Sequence, residues 1–220
     1  MTQHRRLADH SQLSEIATCY MAVLSIPQKL AYQAEGILVY PGQGEICRVT
    51  DAIALWEKST MAKRLLVAGQ NNKLEHVQTL DMGILTKPPY NLRKTDGVVI
   101  EQFAEHTGDQ SEWAVRMVRE HNIASLAHTV PGYHTAKAYL CLLKKLLDAG
   151  CRIPVIPKPT IMPPDYIVPE VQATAWTMVP GEVERLIQYQ HNGFAASSEE
   201  LFDYLNWLYR QPIITQFLPV

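Results

Sequence analysis

Two short runs of this chain bring together side chains able to move protons and hold charged ligands. The first is Glu101-Gln-Phe-Ala-Glu-His106-Thr107-Gly-Asp109-Gln110, and the second is Pro131-Gly-Tyr133-His134-Thr-Ala-Lys137. Glu101, Asp109, His106 and His134 are the acid–base candidates. Histidine titrates nearest neutral pH, so His134 is the better proton carrier, with Glu101 as its orienter or as a separate base. Lys137 follows one helical turn later and can share a side with His134. Two glycine turns suggest a second kind of chemistry. Gly42-Gln43-Gly44 with Arg48 beyond it, and Gly69-Gln70-Asn71, offer free N–H groups, amides and a cation where an anion could be held at a helix start. The first turn is neither GxGxxG nor a P-loop, and glycine torsions alone would explain it equally well. Thr107 and Gln110 read as a capping box, and Asp109 suits the first turn of a helix. Capping accounts for neither Glu101 nor His106.

Each cluster follows a short apolar run. Residues 36–40, 65–69, 98–100, 124–130 and 152–156 are such runs, and helical spacing separates them. Leu13, Ile16, Ala17, Tyr20 and Leu24 mark a first helix, Arg48 to about Met61 a second, and Ala136, Leu140, Leu143 and Leu147 a later one ending at Gly150. A short helix is predicted near Leu74–Leu80. Alternating strands and helices with unbroken apolar strands predict an α/β protein with a Rossmann-like doubly wound, mostly parallel five-stranded sheet. That domain spans residues 1–157, the N-terminal helix included. Residues 158–220 form a proline-rich crossing segment and a helical appendage of the same domain, the alternative being a second domain. One appendage helix is predicted to start at Pro180, the other at a capping box opened by Ser197 and completed by Glu200. In a parallel sheet the strand-end clusters converge on one edge, where ligands bind.

Composition narrows the function classes. The 220 residues, 47% apolar and 19% charged, are those of a soluble globular protein, and a net charge of −2 gives no case for nucleic acid or an anionic membrane. Cys19, Cys47, Cys141 and Cys151 lack metal-finger spacing and read as reduced thiols. His106, His128 and His134 show no HxH or HExxH spacing, and no metal is expected. Arg5 and Arg6 precede the apolar stretch 17–26, but Asp9 and Glu15 stand between the two, so a helix is expected there rather than a signal peptide. A cytoplasmic location is expected.

Glu101-x-x-Ala104-x-His106-Thr107-x-Asp109-Gln110 resembles the E-x-x-S-x-N-T-x-E-N stretch of the bacterial YdcF/SanA/ElyC-like family, a domain family of unknown function. Val130-Pro131-Gly132-Tyr133-His134-x-x-Lys137-Ala138 resembles its T-S-x-Y-H-x-x-R-A stretch. Pro41-Gly42-Gln43-Gly44, Arg48 and Ala68-Gly69 stand where that family has a glycine turn, an arginine and a second S-G-G turn. The resemblance covers residues 36–157. It departs at Ala104, His106, Asp109, Gln110 and Lys137, and lysine lacks arginine's bidentate fork. What the resemblance implies is a small-molecule site at these positions. S-adenosylmethionine is the leading ligand, because a soluble relative is associated with binding it. Two alternatives stand beside this: a non-catalytic regulatory or interaction protein, and an envelope-related role like that of anchored relatives.

Overall fold

The computed structural model describes residues 10–42, 44–69, 79–104 and 106–216. Five strands form one all-parallel sheet: β1 (Gly36–Val39), β2 (Arg64–Ala68), β3 (Val98–Glu101), β4 (Leu126–Thr129) and β5 (Val155–Pro157), in the order β3-β2-β1-β4-β5. Every residue of β1 and β4 is buried, so β1 reads as a continuous apolar run rather than an alternating one, while β4 buries His128 and Thr129 beside Leu126 and Ala127. Pro157 lies in the edge strand β5, where a missing N–H does least harm to the ladder.

The helices are α1 (His10–Leu24), α2 (Ile46–Lys58), α3 (Met82–Leu85), α4 (Thr107–Glu120), α5 (Thr135–Asp148), α6 (Ala175–His191), α7 (Ser198–Leu208) and α8 (Pro212–Thr215). The chain steps outward from β1 to β2 and β3, then crosses back to β4 and β5 on the other side of β1. Right-handed crossovers therefore set α2 on one face and the packed pair α4 and α5 on the other. This is the expected Rossmann-like doubly wound α/β arrangement. Strand order reverses between β1 and β4, and the crevice of such a fold opens at their carboxyl ends.

The C-terminal helices pack against α1 and α5. Leu186, Leu201, Leu208 and Ile214 are buried in the same apolar cluster as Leu38, Leu66 and Ala127. The Tyr204 hydroxyl accepts from the Val155 N–H at 2.8 Å and donates to the Ile153 carbonyl at 2.9 Å, tying α7 to the entry of β5. The proline-rich segment also forms a small antiparallel ribbon, β6 (Ile167–Val168) with β7 (Ala173–Thr174).

Three sequence expectations meet the structure differently. The Ser197–Glu200 capping box is present with both of its bonds, at 3.1 and 2.9 Å. Helix α6 starts at Ala175 instead of Pro180, because the Thr174 hydroxyl caps the Thr177 N–H and leaves Pro180 inside the helix. The Thr107–Gln110 capping box does not form. His106 is the N-cap of α4 without a side-chain cap bond, and the Gln110 amide instead donates to the buried Pro41 carbonyl at 3.3 Å. The helix predicted near Leu74–Leu80 lies almost wholly outside the described residues.

Replacing Tyr204 by Phe leaves the β5 entry with an unpartnered N–H and carbonyl. The variant is expected to lose about 1–3 kcal/mol in urea unfolding while keeping one cooperative transition.

Candidate functional site

The α2 side of the crevice is built by the turn after β1. Gly44 adopts a φ of 78°, and the Glu45 N–H closes the turn on the Gly42 carbonyl at 3.1 Å. Glu45 then caps α2 by backbone geometry alone, and Arg48 stands one turn into the helix. Arg48 is 3% exposed and Glu45 0%. The guanidinium Nη1 donates to the Tyr40 carbonyl at 3.3 Å, while Nη2 donates to the Tyr133 hydroxyl at 3.0 Å and lies 2.5 Å from Glu45 Oε2. Tyr133 in turn donates to Glu45 Oε1 at 2.5 Å. A Cβ on Gly42 would stand 3.0 Å from Arg48 Nη1, so the turn and the guanidinium are packed together. Burial works against the Arg48 charge, but Glu45 and Tyr133 more than offset it and hold the group above its ordinary value. Burial also raises the Tyr133 phenol.

The α5 side follows β4. Pro131 leads into a single 3-10 turn, Gly132–His134, and the Thr135 hydroxyl donates to the Pro131 carbonyl at 2.9 Å as α5 begins. His134 Nδ1 lies 2.7 Å from Glu182 Oε2, and the Lys137 ammonium lies 3.0 Å from the same oxygen. Arg185 Nη2 engages the other oxygen of Glu182 at 2.8 Å. Glu182 comes from α6 and is 2% exposed. Burial alone would raise its carboxyl, but His134 and Lys137 hold it well below the usual range. Burial pushes His134 down to about 4 against the pull of Glu182, and the Lys137 charge adds to the depression. Burial lowers Lys137 as well, with Glu182 opposing. At neutral pH the imidazole is thus neutral. A carboxylate only accepts, so Nδ1 carries the proton and donates it to Glu182. The other ring nitrogen keeps its lone pair and makes no hydrogen bond among the described residues.

Tyr133 and His134 join the two sides, with ring centroids 6.3 Å apart. Gly42, Arg48, Gln110, Tyr133, His134 and Lys137 therefore sit at the carboxyl end of the β1–β4 region. Gly69 stands beside them across β2. Its φ of 98° and the Ala104 carbonyl, 2.3 Å from where a Cβ would be, explain the glycine by close backbone approach. Gln43, Gln70 and Asn71 lie outside the described residues.

Glu101 ends β3, with β2 and β1 between it and β4, about 14 Å away at three strand spacings. Its oxygens accept from the Phe103 and Ala104 N–H groups at 2.9 and 2.6 Å, so it closes the turn after β3. Glu182, and not Glu101, orients His134. His106 and Asp109 are exposed at the start of α4, and Thr107 is half-buried.

Glu45, Glu182 and Arg185 were not among the sequence candidates. One signal was present for Glu182. Met178, Glu182 and Leu186 fall at i, i+4 and i+8 on the buried side of α6, so a carboxylate interrupts an apolar stripe. His128, on β4, is a second buried imidazole, set edge-to-face on Tyr40 at 4.7 Å and pushed down to about 3 by burial.

No protein-family model matches the chain, and no curated protein matches it. Among the described residues, no helix is long and apolar enough to cross a membrane.

Two outcomes follow from this electrostatics. Glu182→Gln strands the Lys137 charge in the interior and is expected to cost about 3–5 kcal/mol of stability at neutral pH. Acidification acts through the histidines. Between pH 6.5 and 4.5 unfolded His128 and His134 bind protons that their folded forms refuse, so stability falls as pH falls. Urea midpoints should drop across that window, and His128→Leu should make the drop shallower. The Glu182 contribution is lost only at still lower pH, below its ordinary value of 4.5.

Proposed function

We propose that this chain binds a nucleotide-like or zwitterionic small molecule, S-adenosylmethionine first among the candidates, in the crevice at the carboxyl ends of β1 and β4. The observation that carries the reading is the His134–Glu182 pair beside the reversal of strand order. Ligands of open α/β sheets lie at such a reversal. A neutral imidazole with one nitrogen tied to a carboxylate presents the other to a bound molecule as a hydrogen-bond acceptor in a fixed direction. Lys137 and Arg185 share the one carboxylate of Glu182, which leaves positive charge for an anionic group of the ligand, such as an amino-acid carboxylate.

Further support comes from the residues that resemble the YdcF/SanA/ElyC-like family. Arg48, Tyr133 and His134 match those stretches and stand at this end of the sheet, as do Gln110 and Lys137, two of the positions where the chain departs from them. A relation to that family is part of the proposal. The free cysteines Cys19, Cys47, Cys141 and Cys151 accord with a cytoplasmic setting. Glu101 and Asp109 have no role in this reading.

Native mass spectrometry of freshly purified protein is expected to show a bound small molecule, and S-adenosylmethionine is expected to raise Tm. Lys137→Met, which keeps the aliphatic stem, should weaken that binding by about tenfold or more, equivalent to about 1.4 kcal/mol. If a reaction is found, His134→Gln should lower its rate by ~10²–10⁴-fold with the fold intact. An empty protein whose Tm responds to no adenosine derivative or carboxylated amine would overturn the proposal in favour of a regulatory protein.

A further inference from the structure

In open α/β proteins the turn between the first strand and the next helix commonly receives the phosphate of a ligand. Here a carboxylate of the chain itself stands beside that turn. Glu45 follows the turn closed on Gly42, is wholly buried, accepts a hydrogen bond at Oε1, and leaves Oε2 paired with Arg48 by charge without a hydrogen bond. Oε2 lies against Arg48 Nη2 at 2.5 Å, and Oε1 accepts from the Tyr133 hydroxyl at 2.5 Å. Neither oxygen caps the helix N–H groups, so local helix chemistry does not explain why a glutamate stands here.

The guanidinium is also incompletely used. Nη1 donates to the Tyr40 carbonyl and Nη2 to the Tyr133 hydroxyl, with Glu45 Oε2 beside Nη2 as an ion pair only, while Nε is buried without a hydrogen-bond partner. Arginine binds planar or tetrahedral oxyanions best through two adjacent N–H groups in parallel. Nε and Nη2 form such a fork, and Glu45 blocks it while engaging Nη2 alone.

We propose that Glu45 is a built-in counter-anion that occupies the Arg48 and Tyr133 donors, so that the crevice excludes phosphate and selects an unphosphorylated ligand. This rests on the crevice being the binding place, and it narrows the ligand class to carboxylates and zwitterions without a phosphoryl group. Removing the carboxylate should convert the same residues into an oxyanion site.

The experiment needs no knowledge of the native ligand. Parent protein, Glu45→Ala, and Glu45→Ala combined with Arg48→Met are unfolded thermally in sodium chloride and in sodium phosphate of equal ionic strength, and phosphate binding is measured by calorimetry. The parent is expected to show the same Tm in both salts. Glu45→Ala should be less stable in chloride, regain Tm in phosphate, and bind phosphate at least about tenfold more tightly than the parent. The added Arg48→Met should abolish that gain. If Glu45→Ala does not fold, Glu45→Gln is read in the same way, since it keeps the side-chain volume and an acceptor for Tyr133 while releasing the charge. A folded variant with no phosphate-specific gain overturns the inference. So does a parent protein that binds phosphate or adenosine monophosphate through Arg48. A parent that binds no small molecule at all would sink the proposed function while leaving the phosphate gain of the variant to decide this point.

Discussion

A carboxylate sealed inside a protein imposes conditions on everything around it. Glu182 meets water over 2% of its surface, and an unpaired charge there would cost several kcal/mol. It is tolerated because Lys137, Arg185 and the N–H of His134 close on its two oxygens. Lys137 belongs to α5, His134 to the 3-10 turn that leads into it, and Arg185 to α6, so the ion cluster exists only when α6 is seated across the start of α5. That seating depends in turn on Thr174, which starts α6 early enough to bring Glu182 inward, and on Leu186, which anchors the next turn in the main core. A smaller apolar group of Tyr133, Val168, Ala175 and Met178 packs the entry to α6 against the 3-10 turn. The proline-rich crossing segment therefore leads into the helix that brings this charge to the carboxyl end of the sheet.

A second buried ion pair, Glu45 with Arg48, stands on the opposite flank. Tyr133 belongs to that pair and His134 to the Glu182 cluster, so two neighbouring residues of one 3-10 turn connect the flanks. The rotamers of both side chains are held by charged partners on other elements, α2 in one case and α6 in the other. Polar groups fixed in this way need little reorganisation when a ligand arrives, and preorganisation of this kind is what gives a site its strength. The same network keeps the imidazole neutral. Burial and the Lys137 ammonium outweigh the attraction of Glu182, and the spare nitrogen remains basic in form.

Much of the architecture was legible because it depends on local pattern. The buried strands Ile37-Leu38-Val39 and Leu65-Leu66-Val67 are unbroken apolar runs, and the parallel sheet follows from helices alternating with them. Ser197 and Glu200 cap one another across three residues, a distance that sequence can read. The site was legible on one side only. Arg48, Gln110, Tyr133, His134 and Lys137 follow strands that meet at the crevice, whereas Glu101 follows a strand that topology carries to the far edge. Strand order is set by crossovers and leaves no mark in the spacing around Glu101. The partner of His134 was missed for a related reason, since Glu182 lies 48 residues away and reaches it through tertiary packing. Pro180 misled as a helix start because the Thr174 cap and the burial of Glu182 and Leu186 outweigh one proline in the helix, a penalty of about 3 kcal/mol. Gln110 abandoned its capping role because the buried Pro41 carbonyl needed a donor.

The account turns on His134 being a neutral imidazole, kept so by burial and Lys137, which Glu182 holds in the tautomer protonated at Nδ1. Long-range proton–nitrogen correlation NMR of imidazole-labelled protein at neutral pH reads that state directly. The expected spectrum of His134 is that of a neutral ring with Nδ1 protonated and Nε2 bare, turning disordered or averaged in Glu182→Gln. A charged imidazolium, or a neutral ring protonated at Nε2, would contradict it.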